Sequence, residues 1–231
     1  MTGVMCAFAG QKPAAVQRTQ ITWATYGNAQ IDTAQSKFGS ASGLFDGNGD
    51  YLESTGNNSI WSYDANQDIT WECWWRSPTA TAPVIGALFN NPGSMMLYLT
   101  NVSGNWVYAQ WSGSNNYVTS SALTISANTW YHAAFTRQGG TMKLWHNGTE
   151  VGTAGGLSGA ISASNGALIG NYVNAYWLNA HIDELRISKG ICRYTSNFTP
   201  STSAFVNDAN TTLLMHFEGS DGSTTFTDDN S

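Results

Sequence analysis

Apolar residues in this chain recur at every second position far more often than at every third or fourth, and that alternation limits the fold more than any other feature. In Ile69-Thr70-Trp71-Glu72-Cys73-Trp74-Trp75-Arg76, the side chains of Ile69, Trp71, Cys73 and Trp75 fall on one face of an extended strand. Thr70, Glu72, Trp74 and Arg76 fall on the other. The same pattern predicts strands over 95–100, 105–112, 130–137, 142–146, 167–170, 180–188 and 211–217. Asn147-Gly148 follows one of these runs, and it suits the two successive positive φ angles of a tight hairpin. Only 190–197 has room for a helical turn. The expectation is an all-β chain with less than about 10% helix, folded as a two-sheet antiparallel jelly-roll sandwich.

Composition narrows the function. Charged residues make up 10% of the 231, against roughly 25% in ordinary soluble domains. Gly (24) and the hydroxyl and amide residues take their place, beside ten Trp. A chain so aromatic and so little charged is not disordered. The net charge of −6 and the nine scattered Lys and Arg provide no basic patch, so nucleic acid and anionic lipid are excluded as partners. No run approaches the length of a membrane-spanning helix, and residues 1–10 lack the basic start and apolar stretch of a signal peptide. A virion, or an extracellular or cell-surface setting, is the expected location. Cys6, Cys73 and Cys192 are odd in number and far apart, which points to buried free thiols.

Residue patterns for catalysis are weak. The five glutamates, Glu53, Glu72, Glu150, Glu184 and Glu218, form no Glu-x-Asp-x-x-Glu run of the sort that supplies an acid and a nucleophile on one strand. Asp183 and Glu184 are adjacent, so regular strand geometry points them to opposite faces. There is no Gly-x-Ser-x-Gly, no phosphate-binding loop and no His-Glu-x-x-His. No catalytic residue is assigned, and the chain is expected not to be an enzyme. Asp46-Gly47-Asn48-Gly49-Asp50 places three oxygen-bearing side chains at alternate positions, as calcium loops do; a Gly-rich hairpin turn in which Asp and Asn cap the backbone is the competing reading. For glycans, aromatic rings with nearby amides mark Trp106, Tyr108, Trp111, Asn115, Tyr117, Tyr172 and Tyr176 as candidate contacts. Core filling or a protein interface is the competing role for them. Trp71, Trp75 and Trp130 are assigned to the core.

Several segments in order resemble the concanavalin A-like superfamily, in particular its laminin-G-like domains from bacterial surface and phage proteins. They are Ser36-Lys37-Phe38-Gly39, 43–52, Ile69–Arg76, 129–137, 142–148, 168–170, 181–188 and 193–200, together covering about 34–206. The first 25 residues depart from the pattern. The resemblance implies two antiparallel sheets packed face to face, and it makes Asp183 and Glu184 structural, with Glu184 or Arg186 in a local ion pair. It also adds weight to a structural calcium near Asp46, Asn48 and Asp50, with Asp183 on the neighbouring strand as a further ligand. The expected organisation is an N-terminal strand and lead-in over 1–33, a jelly roll over 34–206, and a closing strand with an acidic tail over 207–231. That closing strand is expected to pair within the chain, with a strand near residues 4–8; addition to a neighbouring subunit is the rival. Fold alone does not choose a function on this scaffold. The order of readings is a phage virion module that decorates a shell or fibre and binds glycans, then an adhesion or carbohydrate-binding module of a secreted bacterial protein, then a glycoside hydrolase. Partners are glycans or other virion or surface proteins, with a homo-oligomer left open.

Overall fold

The computed structural model describes residues 21–55, 58–80, 85–91, 95–102, 105–112, 115–163, 166–172 and 176–230; between 85 and 117 it describes side chains only at 87–90, 97–99 and 108. Strands are numbered along the chain. One antiparallel sheet runs β1 (Thr22–Tyr26), β4 (Tyr51–Thr55), β13 (Leu168–Ile169), β6 (Ile85–Asn91), β7 (Met95–Val102), β8 (Asn105–Ser112) and β9 (Asn115–Thr119). The other runs β12 (Thr149–Ala154), β11 (Thr141–His146), β10 (Trp130–Gln138), β5 (Ile69–Arg76), β16 (Asn179–Lys189), β3 (Ser42–Asp46) and β2 (Gln30–Asp32), with β17 (Thr211–Met215) also paired to β16. A short hairpin of β14 (Asn171–Tyr172) and β15 (Tyr176–Trp177) sits apart. Among the described residues the one helical element is a 3₁₀ turn at Asn58–Trp61, as the alternation predicts. Residues 190–197 form no helical turn; they run irregularly over the larger sheet.

The inward face of β5 builds the core as its alternation requires. Ile69, Trp71, Cys73 and Trp75 are all buried, with Ala133 and Phe135 of β10 and Ile182, Leu185 and Ile187 of β16 beside them. Leu88, Phe89, Leu97, Leu99 and Tyr108 face them from the other sheet. The Trp71 ring meets Phe89 edge-on at 4.9 Å and Phe135 at 5.8 Å. Buried indoles require partners for their N–H groups. Trp71 Nε1 donates to Tyr63 Oη (3.1 Å), Trp75 Nε1 to Tyr108 Oη (2.7 Å) and Trp61 Nε1 to Ser54 Oγ (3.2 Å). Burial also holds the Cys73 thiol protonated by pushing its pKa well up. Cys192 is a free, partly buried thiol, and Cys6 lies outside the described residues.

Asn147 and Gly148 have φ of 49° and 78°, the two positive values expected of the β11–β12 hairpin. A Cβ at Gly148 would run into the Phe198 carbonyl, so this turn needs glycine for space as well as for φ.

The larger sheet has a second apolar and ionic layer on its outer face. Glu72 is fully buried there, accepting from Arg186 Nη2 (2.6 Å) and Nε (2.8 Å), Tyr194 Oη (2.6 Å) and His132 Nε2 (3.2 Å). Burial alone would raise its pKa; the His132 hydrogen bond and the Arg186 charge overcome that and hold it at about 2. Residues 191–207 cover this face. Tyr194 stacks on Phe198 at 3.5 Å, and Phe205 lies 4.2 Å from the Arg186 guanidinium.

Residues 21–33, read from sequence as a lead-in, supply β1 to one sheet and β2 to the other. The C-terminal strand closes within the chain, but on β16: Leu213 sits opposite Ile187 and Met215 opposite Leu185. Its expected partner near residues 4–8 lies outside the described residues. Beyond β17 the acidic tail folds back on the sandwich. Phe226 enters the core, and the Asp228 carboxylate accepts from Ile21 N and Leu214 N. The Ser223 carbonyl accepts from Ile31 N, and Gly222 N donates to the Ile31 carbonyl.

Candidate ligand-binding surface

Of the expected glycan contacts, Tyr172 and Tyr176 are brought to the surface together. The β14–β15 hairpin turns the chain so that they face each other across its register. Their rings stack at 5.7 Å and 18°, and Tyr172 stacks in turn on Tyr98 of β7 at 6.1 Å and 7°. Tyr98 is buried, Tyr172 partly buried and Tyr176 36% exposed, so the three rings step outward from the sheet. Tyr98 was legible only as a strand residue. Tyr108 is a correction: its ring is fully buried between the sheets, where its hydroxyl accepts from Trp75 and pairs with His146 Nδ1 at 3.0 Å. Strand alternation turns it inward, so no ligand reaches it. The backbones of Trp106, Trp111, Asn115 and Tyr117 run in β8 and β9; their side chains lie outside the described residues. A further stacked pair, Tyr26 on Tyr51 at 4.3 Å, stands at the β1–β4 edge, and sequence reasoning did not single it out.

The acidic turn follows β3. Asp50 is buried and braces it: Oδ1 accepts from Asn28 N (2.7 Å) and Oδ2 from Asp46 N (2.9 Å). Asn48 N donates to Asp46 Oδ1 at 2.7 Å, so backbone capping accounts for part of the pattern. Burial raises the Asp50 pKa, and the nearby Asp46 charge adds to it. The Asn28 amide completes the group, its terminal atom lying 2.9 Å from Asp50 Oδ1 and 3.2 Å from Asp46 Oδ2. With nitrogen at that point the amide donates to both carboxylates, which ties the turn to residue 28. The Asp46 and Asp50 carboxylates would supply part of the six to eight oxygens that calcium takes. Among the described residues no three His, Cys, Asp or Glu side chains gather as a metal centre. Asp183 is not part of the set. Asn179 is the residue opposite Asp46, and Asp183 stands four positions further along β16, about 13 Å away by strand rise.

Asp183 and Glu184 correct the alternation rule. A bulge interrupts β16 between Asp183 and Arg186, with Glu184 at φ 54°. The extra residue lets both carboxylates work on the outer side. Asp183 Oδ2 accepts from Lys37 N (2.7 Å) and Phe38 N (3.2 Å). Glu184 accepts from Phe205 N (2.5 Å) and pairs with His216 Nδ1 (2.7 Å). Both are therefore taken up in holding covering segments to the sheet. Burial raises Asp183 to about 7, against the pull of its two backbone donors. Between pH 4 and 7 the folded chain thus holds a proton that the unfolded chain has released, so this group's contribution to stability falls as pH rises and levels off above 7. Asp183→Asn, neutral at every pH, is expected to lack that fall. Urea unfolding at pH 5 and 8 measures the difference; parallel pH profiles for the two proteins would contradict the assignment.

A family model of the concanavalin A-like lectin/glucanases superfamily, Laminin_G_3, matches residues 46–192. No curated protein matches the chain. Solved structures share the fold at low identity. Domain 4 of AbnA, a GH43 extracellular arabinanase from Geobacillus stearothermophilus in complex with arabinotriose, is 18% identical with a TM-score of 0.55, covering 77% of this chain and 85% of that one. The enzymatically active domain of bacteriophage CBA120 tailspike protein 2 is 13% identical with a TM-score of 0.58, covering 88% and 34%. The binding domain of Paraclostridial Mosquitocidal Protein 1 is 18% identical with a TM-score of 0.51, covering 78% and 45%. The chain spans 27% to 51% of the length of several such structures, about half or less. The family match covers well over half of the chain, on a sandwich of two packed antiparallel sheets, and the chain belongs to the concanavalin A-like lectin/glucanases superfamily.

Proposed function

We propose that the chain is a non-enzymatic glycan-binding module displayed on an extracellular surface or a phage particle. The observation that carries this is the Tyr98–Tyr172–Tyr176 ladder, whose outermost ring is exposed and suited to stack on the C–H face of a sugar. A ring held by a stack beneath it loses little freedom on binding, which favours affinity. The arabinanase domain, solved with arabinotriose, supports a saccharide ligand. The tailspike likeness supports the particle setting; a module of a secreted bacterial protein is the second reading, supported by the arabinanase domain. A glycan array probed with the full chain and with Tyr176→Ala tests the site. Retention of a saccharide by the parent and about tenfold weaker retention by the variant, the effect of losing 1–1.5 kcal/mol of stacking, is the expected outcome. Equal retention by both would remove the ladder from the site.

Calcium enters as a structural ion of the acidic turn, with Asp46 and Asp50 as its carboxylate ligands. An ion bound only by the folded chain raises its stability by mass action. Millimolar calcium is expected to raise the melting temperature, and Asp46→Ala to abolish the shift. No shift in the parent would leave the turn held by its hydrogen bonds alone.

A further inference from the structure

The glycan ladder uses the seven-stranded sheet, yet the other sheet carries an open groove that none of the roles above occupies. It lies on the outer face, bordered by residues 200–202 of the covering segment, and has a volume of about 410 Å³. Trp74 of β5, Trp130 of β10, Lys37, Phe38, Asn147 and Ser201 line it. Trp130 was read from sequence as core; it packs instead, partly buried, beside the small outer cluster of Trp74, Phe205 and Leu214. Alternation puts both Trp residues there, because each is offset by one position from the inward-facing residues of its strand.

The groove residues are not fully taken up by the fold. The Lys37 ammonium lies 3.9 Å from the Trp74 ring and 5.4 Å from Phe38, and it has no carboxylate partner among the described residues. Trp74 is 6% exposed, and its indole Nε1 has no hydrogen-bond partner there. The Trp130 ring remains partly open to solvent. The partly open Trp130 face, a cation without a carboxylate partner among the described residues, and the Asn147 and Ser201 side chains together match a sugar that carries a carboxylate. The apolar face of the sugar stacks on Trp130, its carboxylate meets Lys37, and its hydroxyls meet Asn147 and Ser201.

We propose that this groove is a second ligand site, separate from the tyrosine ladder, which takes acidic saccharides of the uronate or sialate class. A chain with net charge −6 repels such ligands as a whole. Their retention must therefore come from a local cation, and Lys37 is the one placed in the groove.

The test titrates the full chain by calorimetry with an oligomer of galacturonic acid and with the galactose oligomer of equal length, which has hydroxymethyl groups in place of carboxylates. Sialyllactose against lactose makes the same comparison for a sialate, so the two arms separate the two acidic sources. At least one acidic sugar is expected to bind better than its neutral counterpart. Lys37→Gln is expected to weaken that binding about tenfold, in line with the loss of one charge-assisted hydrogen bond, and Lys37→Arg to retain it. Trp130→Ala should also weaken it, while Tyr176→Ala should leave it unchanged, so failure here is distinguishable from failure of the ladder. Equal binding of acidic and neutral sugars, no binding of either acidic sugar, or an unaltered affinity in Lys37→Gln would each overturn the proposal.

Discussion

A chain lacking residues 211–231 is expected not to fold. β17 places Leu213, Leu214 and Met215 at 0–1% exposure, with Phe217 (3%) just beyond it. Truncating one such side chain costs about 2–5 kcal/mol, so losing all four costs about as much as the roughly 5–15 kcal/mol that holds a typical domain together. The deletion also exposes the edge of β16 from Leu185 to Ser188, which β17 pairs, and an open apolar edge invites aggregation. A shorter deletion of 219–231 keeps the strand. It removes Phe226 from the core and the Asp228 and Ser223 bonds that tie the tail to Ile21 and Ile31. Circular dichroism and protease resistance read both deletions. The longer one should lose the β signature; the shorter should fold with lowered stability. A monomer that keeps its fold and melting temperature without 211–231 would show that the strand is dispensable.

Glu72→Ala is the point substitution with the largest expected cost, about 3–5 kcal/mol. The glutamate is buried and satisfies Arg186, His132 and Tyr194 together. Its removal leaves a guanidinium without its anion beneath the 191–207 segment, which is the costly half of breaking a buried pair. Glu72→Ala with Arg186→Met removes both charges and should recover part of the loss. The folded carboxyl titrates near 2, below its ordinary value of 4.5. Its stabilisation is therefore complete above pH 4.5 and lost progressively as the pH falls toward 2. Denaturant unfolding of the three proteins at pH 7 gives the energies. A loss below about 1 kcal/mol in the single variant would contradict the description of this cluster as a buried ionic anchor.

Most of the fold was legible because its main determinant, alternation, is local. The β5 register, the β11–β12 turn at Asn147-Gly148 and the inward placement of Trp71 and Trp75 all follow from it. Alternation says which residues share a face; it does not say whether a face looks to the core, to solvent or to a covering loop. That is why Tyr108 read as a ligand contact and Trp130 as core, with the opposite result for each. The bulge at Glu184 was hidden because one extra residue in a strand leaves no compositional trace. How the acidic tail packs was not legible, because single residues, Phe226 and Asp228, fix it. In the acidic turn Asp46 and Asp50 do come together, braced by Asn28 from a separate segment, while register carries Asp183 away from them.

Binding without turnover separates a lectin-like module from a hydrolase on the same scaffold. The saccharide best retained by the chain on an array is incubated with it for a day, and both the bound fraction and the reducing ends released are measured. Retention of the intact saccharide, lost in Tyr176→Ala, with no rise in reducing ends, is the predicted result. Steady release of shorter sugars that stops when Asp183 or Glu184 is replaced would contradict it.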